Sequence, residues 1–152
     1  MGELKCRSHS VGQNCYHLIW RPKYNIHMLK PKHIRDELER IFDEICEDYQ
    51  IVIHEKRLLK DHIHLFAELP PSMSVSEAFR LLKGISSRRI RRSKPWLKKF
   101  KCMWSKGKFY RSVGNVTSDV IEHYITCCQG NYDYFDVRRK YLLPKQTKLP
   151  TF

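Results

Sequence analysis

The sequence predicts an α+β fold: an antiparallel sheet of the ferredoxin-like or RRM-like kind, with two helices on one face. Three observations carry that expectation. Apolar residues recur at three- and four-residue spacing over 33–49 and again after residue 74, the mark of helices with one buried side. Strand-like segments flank these helices in the order strand, helix, strand, strand, helix, strand, which is the split βαβ plan. The segment 61–69 alternates apolar and polar residues with period two, so one face of that strand belongs to a core.

Taken in order, Tyr16-His17-Leu18-Ile19-Trp20 is a strand that ends near Pro22, with 23–29 expected as its continuation. The first helix carries Ile34, Leu38, Ile41, Phe42, Ile45 and Tyr49 on one stripe, and Pro31 stands near its start, where proline is tolerated. The run 51–58 opens on β-branched residues and reads as a strand; Lys60-Asp61 forms a turn into the alternating strand, which Pro70-Pro71 closes. Ser74-Val75-Ser76-Glu77 is a capping box, so a second helix starts there, turns Ala78, Leu81, Leu82 and Ile85 inward and ends before Pro95. A last sheet strand is expected over 108–113, between Gly107 and Gly114. Thr117-Ser118-Asp119 supplies the cap of a third helix bearing Val120, Ile121, Tyr124, Ile125 and Cys128. Residues 1–143 are expected to form one domain, followed by an irregular tail, 144–152.

Composition narrows the function. The chain has 152 residues and a formal net charge of +13, and its apolar runs are too short to span a bilayer. Residues 1–6 hold neither a signal-peptide core nor the Ser or Thr of a myristoylation site, so a soluble, cytoplasmic protein is expected. The six cysteines form no C-x-x-C pair and no zinc-finger spacing; most read as small buried apolar groups, and a disulfide stays open. Thirteen basic residues and no acidic one lie in 80–111, leaving sixteen basic against sixteen acidic residues elsewhere, so the whole net charge sits in this stretch. Phe79, Trp96, Phe100, Trp104, Phe109 and Tyr110 accompany it. Cations that neutralise phosphates beside aromatic faces that stack on bases point to nucleic acid rather than a membrane. The plainer alternative is a solvated basic face whose aromatics belong to the core.

His62 and His64 share the polar face of their strand with Phe66 and Glu68. Two imidazoles at that spacing suit one divalent ion, or are simply two solvent-facing histidines. Tyr124, taken by itself, reads as a core residue of its helix. A catalytic role would require an activated phenol, because its ordinary pKa is about 10, and a metal-polarised electrophile is one way to meet that need.

Five segments in sequence order then carry a resemblance over about 17–129: His17-Leu18-Ile19-Trp20-Arg21-Pro22-Lys23-Tyr24, Asp61-His62-Ile63-His64-Leu65, Leu82-Lys83-Gly84-Ile85-Ser86-Ser87-Arg88, Trp104-Ser105-Lys106-Gly107-Lys108-Phe109-Tyr110 and Tyr124-Ile125. The chain resembles the HUH single-tyrosine transposases of the insertion sequence 200 type. That resemblance implies that His62 and His64 hold Mg²⁺ or Mn²⁺ and that Tyr124 attacks a scissile phosphate in single-stranded DNA. It implies a 5′-phosphotyrosine intermediate with a free 3′-hydroxyl, subterminal DNA hairpins as ligands, no nucleotide cofactor and a homodimer. The tyrosine helix is then expected on the sheet face opposite the other two. DNA contacts are expected from Lys83, Arg88, Arg89, Arg91, Arg92, Lys106, Lys108 and Arg111.

One position departs from the family. Where Gln or Asn commonly stands four residues after the tyrosine and ligates the metal, this chain has Cys128, with Gln129 one later. A thiol suits a hard ion badly. Gln129 is taken as the third ligand, with Glu55, Asp61 and Cys128 as alternatives. The departure leaves a catalytically inactive or domesticated hairpin-binding protein as one competing reading; a replication initiator or relaxase-type nickase is the other, although such proteins are usually longer.

Overall fold

The computed structural model describes residues 5–7, 10–23 and 27–113. Its elements are β1 (Lys5–Arg7), β2 (Ser10–Gly12), β3 (Cys15–Trp20), α1 (Lys32–Asp48), β4 (Val52–Leu58), β5 (Ile63–Glu68), α2 (Val75–Ser93) and β6 (Phe109–Val113). The chain divides into units Met1–Thr117 and Ser118–Phe152, and every described element belongs to the first. The expected third helix, the tail and the boundary at 143 lie outside the described residues.

Strands β3 to β6 form one antiparallel sheet in the order β4-β5-β3-β6. The first and third strands of the βαββαβ unit are therefore central, as the ferredoxin-like plan requires. Ile63, Leu65, Ala67 and Leu69 join Leu18 and Trp20 in a core shared with Leu38, Phe42 and Ile45 of α1 and Ala78, Phe79 and Leu82 of α2. Trp20 is its hub, meeting Phe42, Phe79 and Trp104 edge-on with ring centroids 5.5, 5.8 and 6.2 Å away. Within this core, burial pushes the Cys46 thiol up to about 12, so it stays a neutral filler.

Local signals act where they were expected. Ser74 Oγ accepts the Glu77 backbone N–H at 3.1 Å and starts α2. Helix α1 ends in a Schellman arrangement: Gln50 N–H donates to Glu47 O, Ile51 N–H donates to Cys46 O, and Gln50 takes a φ of 57°. That ending sets Tyr49 beyond the helix and 40% exposed, off the buried stripe to which its spacing assigned it. Ile85 is half-buried rather than fully inward.

One further expectation fails for an identifiable reason. At 27–29 the expected continuation of the first sheet strand is absent. Proline cannot supply a ladder N–H, and β3 stops at Trp20; His27–Leu29 is a 3₁₀ turn that buries Met28 and Leu29. Residues 21–23 are tied elsewhere: Pro22 bridges Trp104, Lys23 N–H donates to Met103 O and Ser105 N–H donates to Arg21 O. On the sheet face away from α1 and α2, His64, Phe66 and Glu68 are each less than one-tenth exposed. Side chains of neighbouring strands crowd that face, His54 beside Phe66 and His17 beside His64. The β1–β2 ribbon was not anticipated, because its strands are too short to show a period.

Candidate metal centre and nucleic-acid interface

The polar face of β5 positions the histidine site. His64 stands opposite Ile19 of β3, and His17 opposite Phe66, so His17 and His64 are diagonal neighbours. His62 precedes β5, in a turn closed by the Leu59 N–H donating to His62 O at 2.9 Å. Three polar contacts link the cluster. His62 Nδ1 is 2.7 Å from Asp61 Oδ1, His62 Nε2 is 2.7 Å from His64 Nε2, and His64 Nδ1 is 2.9 Å from His17 Nε2.

A carboxylate only accepts, so Asp61 fixes the His62 hydrogen on Nδ1 and leaves the Nε2 lone pair free. Two ring nitrogens 2.7 Å apart then need one proton or one cation between them. The His17–His64 contact accommodates both, because an imidazole–imidazole hydrogen bond reverses direction when the tautomers change. Were His62 and His64 to hold a cation, His64 would carry its hydrogen on Nδ1 and donate it to His17. Each ring would then have an orienting partner on its other nitrogen, as metal-bound histidines generally do.

The electrostatics agree with that donor set. Burial, and secondarily the Arg111 guanidinium, pull His17 down to about 4. Burial, then His17, His62 and Arg57, pull His64 down to about 3. Arg111 and Arg57 lie across the ladders from His17 and His64 respectively. Both rings are thus neutral at ordinary pH, the state a metal ligand requires.

Of the alternatives for a third ligand, Asp61 is engaged with His62, and Glu55 lies 3.5 Å from Arg57 Nε. Tyr124, Cys128 and Gln129 lie outside the described residues. His17 was not singled out from the sequence as a site residue. Besides its place in the first resemblance segment, the signal for it is the period-two pattern of β3, which puts His17 on the face opposite Leu18 and Trp20; which residue it meets there depends on strand register.

The basic stretch runs along α2 and the loop after it. Lys83 Nζ donates to the backbone carbonyls of Ser105 and Gly107, and burial, with Lys108 beside it, draws it down to about 8. Lys83 and Lys108 both lie over the Phe79 ring. Arg89 turns to Glu44 and Asp48 of α1, and Arg91 donates to Phe100 O. Arg88, Arg92 and Lys106 are exposed and make no hydrogen bond or ion pair among the described residues. Two open grooves adjoin on this side, one lined by Lys83, Lys106 and Lys108, the other by Arg88, Arg92 and Lys98, with Gly84, Ser87 and Arg91 common to both. A Cβ on Gly84 would meet nothing within 4 Å, so this glycine keeps the groove floor low. Of the eight expected DNA contacts, six line these grooves; Arg89 faces α1, and Arg111 lies on β6, across from His17. Ser86 is structural: Trp104 Nε1–H donates to Ser86 Oγ at 3.0 Å inside the core. No described helix is long and apolar enough to cross a membrane.

Residues 10–127 match the family model described as "Transposase IS200 like". The chain is 33% identical over 130 residues to the transposase for insertion sequence element IS200 of Salmonella typhimurium, spanning 81% of this chain and 84% of that protein. Among solved structures it is similar to a transposase from Deinococcus radiodurans R1, with a TM-score of 0.66 and 26% identity over 82% of this chain and 97% of that one. It also shares its fold with a REP-associated tyrosine transposase bound to a REP hairpin, with a TM-score of 0.58 and 15% identity over 92% and 88% of the two chains.

Proposed function

The chain belongs to the family of IS200-like transposases, and from that premise we propose that it cuts and rejoins single-stranded DNA at the ends of an insertion sequence, through a 5′-phosphotyrosine intermediate on Tyr124. The observation that carries this reading is the convergence of His62 Nε2 and His64 Nε2 to 2.7 Å, with Asp61 and His17 on the outer nitrogens.

The Tyr124 phenolic oxygen attacks the scissile phosphorus, the bond from phosphorus to the 3′ oxygen breaks, and that oxygen takes up a proton and leaves as a free 3′-hydroxyl. Attack of a 3′-hydroxyl on the phosphotyrosine later forms a new phosphodiester and returns the tyrosine. One phosphoester bond replaces another at each step, so no nucleotide cofactor is consumed. His62 and His64 would hold Mg²⁺ or Mn²⁺, with Gln129 as the third protein ligand. When bound, such an ion supplies Lewis acidity at a phosphodiester oxygen. Neutral His64, oriented by His17, and His62, oriented by Asp61, present the lone pairs this needs. Arg88, Arg92, Lys106 and the groove around Gly84 hold the phosphates of a hairpin end. The working unit is a homodimer acting in the cytoplasm.

The test is a cleavage assay on single-stranded DNA carrying both element ends, with Mg²⁺ or Mn²⁺, read by denaturing gel and peptide mass spectrometry. A covalent DNA adduct on Tyr124 is expected; Tyr124→Phe should abolish it and leave hairpin binding within a few-fold. The second reading, a hairpin binder that has lost cleavage, draws on Cys128 at the family's third-ligand position. Hairpin binding with no adduct under either metal would select it.

A further inference from the structure

At the other end of the same sheet face lies a group the proposed reaction does not use. Cys15 of β3, His54 of β4 and Glu68 of β5 each offer a ligand atom, and these atoms lie within 4.8 Å of one another. Cys15 and Glu68 face each other across the β3–β5 ladder and are 2% and 5% exposed. His54 reaches them because β4 shifts register between Ile53 and Glu55, leaving His54 as the extra residue of a bulge. Bulges commonly re-aim a side chain in this way. His54 Nε2 is buried and has no hydrogen-bond partner among the described residues. It stands 3.6 Å from Glu68 Oε2, too far for a hydrogen bond.

That separation is informative. In tetrahedral ligation with bonds of about 2.0–2.3 Å, neighbouring ligand atoms lie about 3.5 Å apart. The His54–Glu68 distance already matches such an edge, and small side-chain rotations bring the third atom to it. We infer that Cys15, His54 and Glu68 form a second metal site, for Zn²⁺ or a similar divalent transition ion, distinct from the histidine pair. Thiolate, imidazole and carboxylate together select a borderline ion over Mg²⁺. Glu68 and His64 are four residues apart on β5, about 13 Å at about 3.3 Å per residue, so one ion cannot serve both sites. Binding releases the thiol proton to solvent and leaves a fourth position for water. Because the ligands come from β3, β4 and β5, the ion cross-links three strands of the sheet that carries the histidines.

Cobalt provides the test, since a cysteine ligand gives Co²⁺ a thiolate charge-transfer band that a histidine pair cannot give. The full-length, reduced protein titrated with Co²⁺ is expected to develop this band, to lose it to stoichiometric Zn²⁺, and to keep it in His62→Ala. Cys15→Ser should remove the band, and His54→Gln should weaken apparent Co²⁺ affinity at least about tenfold. Circular dichroism checks that each variant is folded; His54→Gln, at the more accessible position, keeps the question decidable if Cys15→Ser does not fold. The inference is overturned if the wild-type protein gives no band, if the band survives in Cys15→Ser, or if His54→Gln binds Co²⁺ as tightly as wild type. None of these readouts involves DNA, so failure here is distinct from failure of the proposed strand cleavage.

Discussion

On the sheet, His17, His62 and His64 hold one another: every contact in the chain from Asp61 to His17 is 2.9 Å or shorter, and the central ring is 7% exposed. Along α2 and the loop after it, the basic groups turn to α1 carboxylates, backbone carbonyls, an aromatic ring or solvent. The first region gains directionality from burial, which keeps its groups neutral and fixes which nitrogen faces which. The second spreads like charges over a surface and spends part of them on its own architecture. Counting charge in the sequence therefore overstates what the basic stretch can offer to phosphates, whereas counting histidines understates the histidine site, because His17 completes it from a distant strand.

The contrast can be broken most directly at its buried end. His64→Ala is expected to lower metal-dependent cleavage by at least about 100-fold, and His17→Gln to weaken metal affinity about 10- to 100-fold while excess Mn²⁺ restores the rate. That rescue distinguishes a positioning role for His17 from ligation. Mn²⁺ binding followed by electron paramagnetic resonance, with cleavage rates in parallel, checks both; an unchanged affinity in His17→Gln would separate His17 from the site.

Acid is the next lever. The folded state lowers His17 and His64 from 6.5 to about 4 and about 3. Below pH 6.5 the unfolded chain therefore binds protons that the native chain does not. Their contribution to stability is complete above pH 6.5 and is lost as pH falls through 6.5 toward these folded values, by on the order of a few kcal/mol. Urea unfolding at a series of pH values should show a steep decline for wild type in this window and a shallower one for His17→Gln. Parallel curves would mean that His17 is as basic in the fold as out of it.

The smallest effects sharpen the surface end. Arg92→Ala should reduce the slope of log affinity against log salt for hairpin DNA by about 1. Arg89→Ala, whose charge already faces Glu44 and Asp48, should leave that slope unchanged and cost less than about 1 kcal/mol of stability. Equal slopes for the two variants would show that internal pairing does not decide which cations meet the DNA.

Much of this molecule is legible in its sequence because the signals are local. Ser74 and Glu77 start α2, Pro22 ends β3, and the alternation of 61–69 sends Ile63, Leu65, Ala67 and Leu69 to the core and His64 to the other face, all through neighbours a few residues apart. The histidine pair and the basic stretch were visible for the same reason. Three things were decided only by tertiary structure: that His17 meets His64, that Arg89 turns to α1 while Arg92 does not, and that a bulge at His54 brings it to Cys15 and Glu68. Each depends on strand register or helix packing between residues far apart in the chain. A one-residue slip would send these side chains to other neighbours, and local periodicity carries no record of that choice.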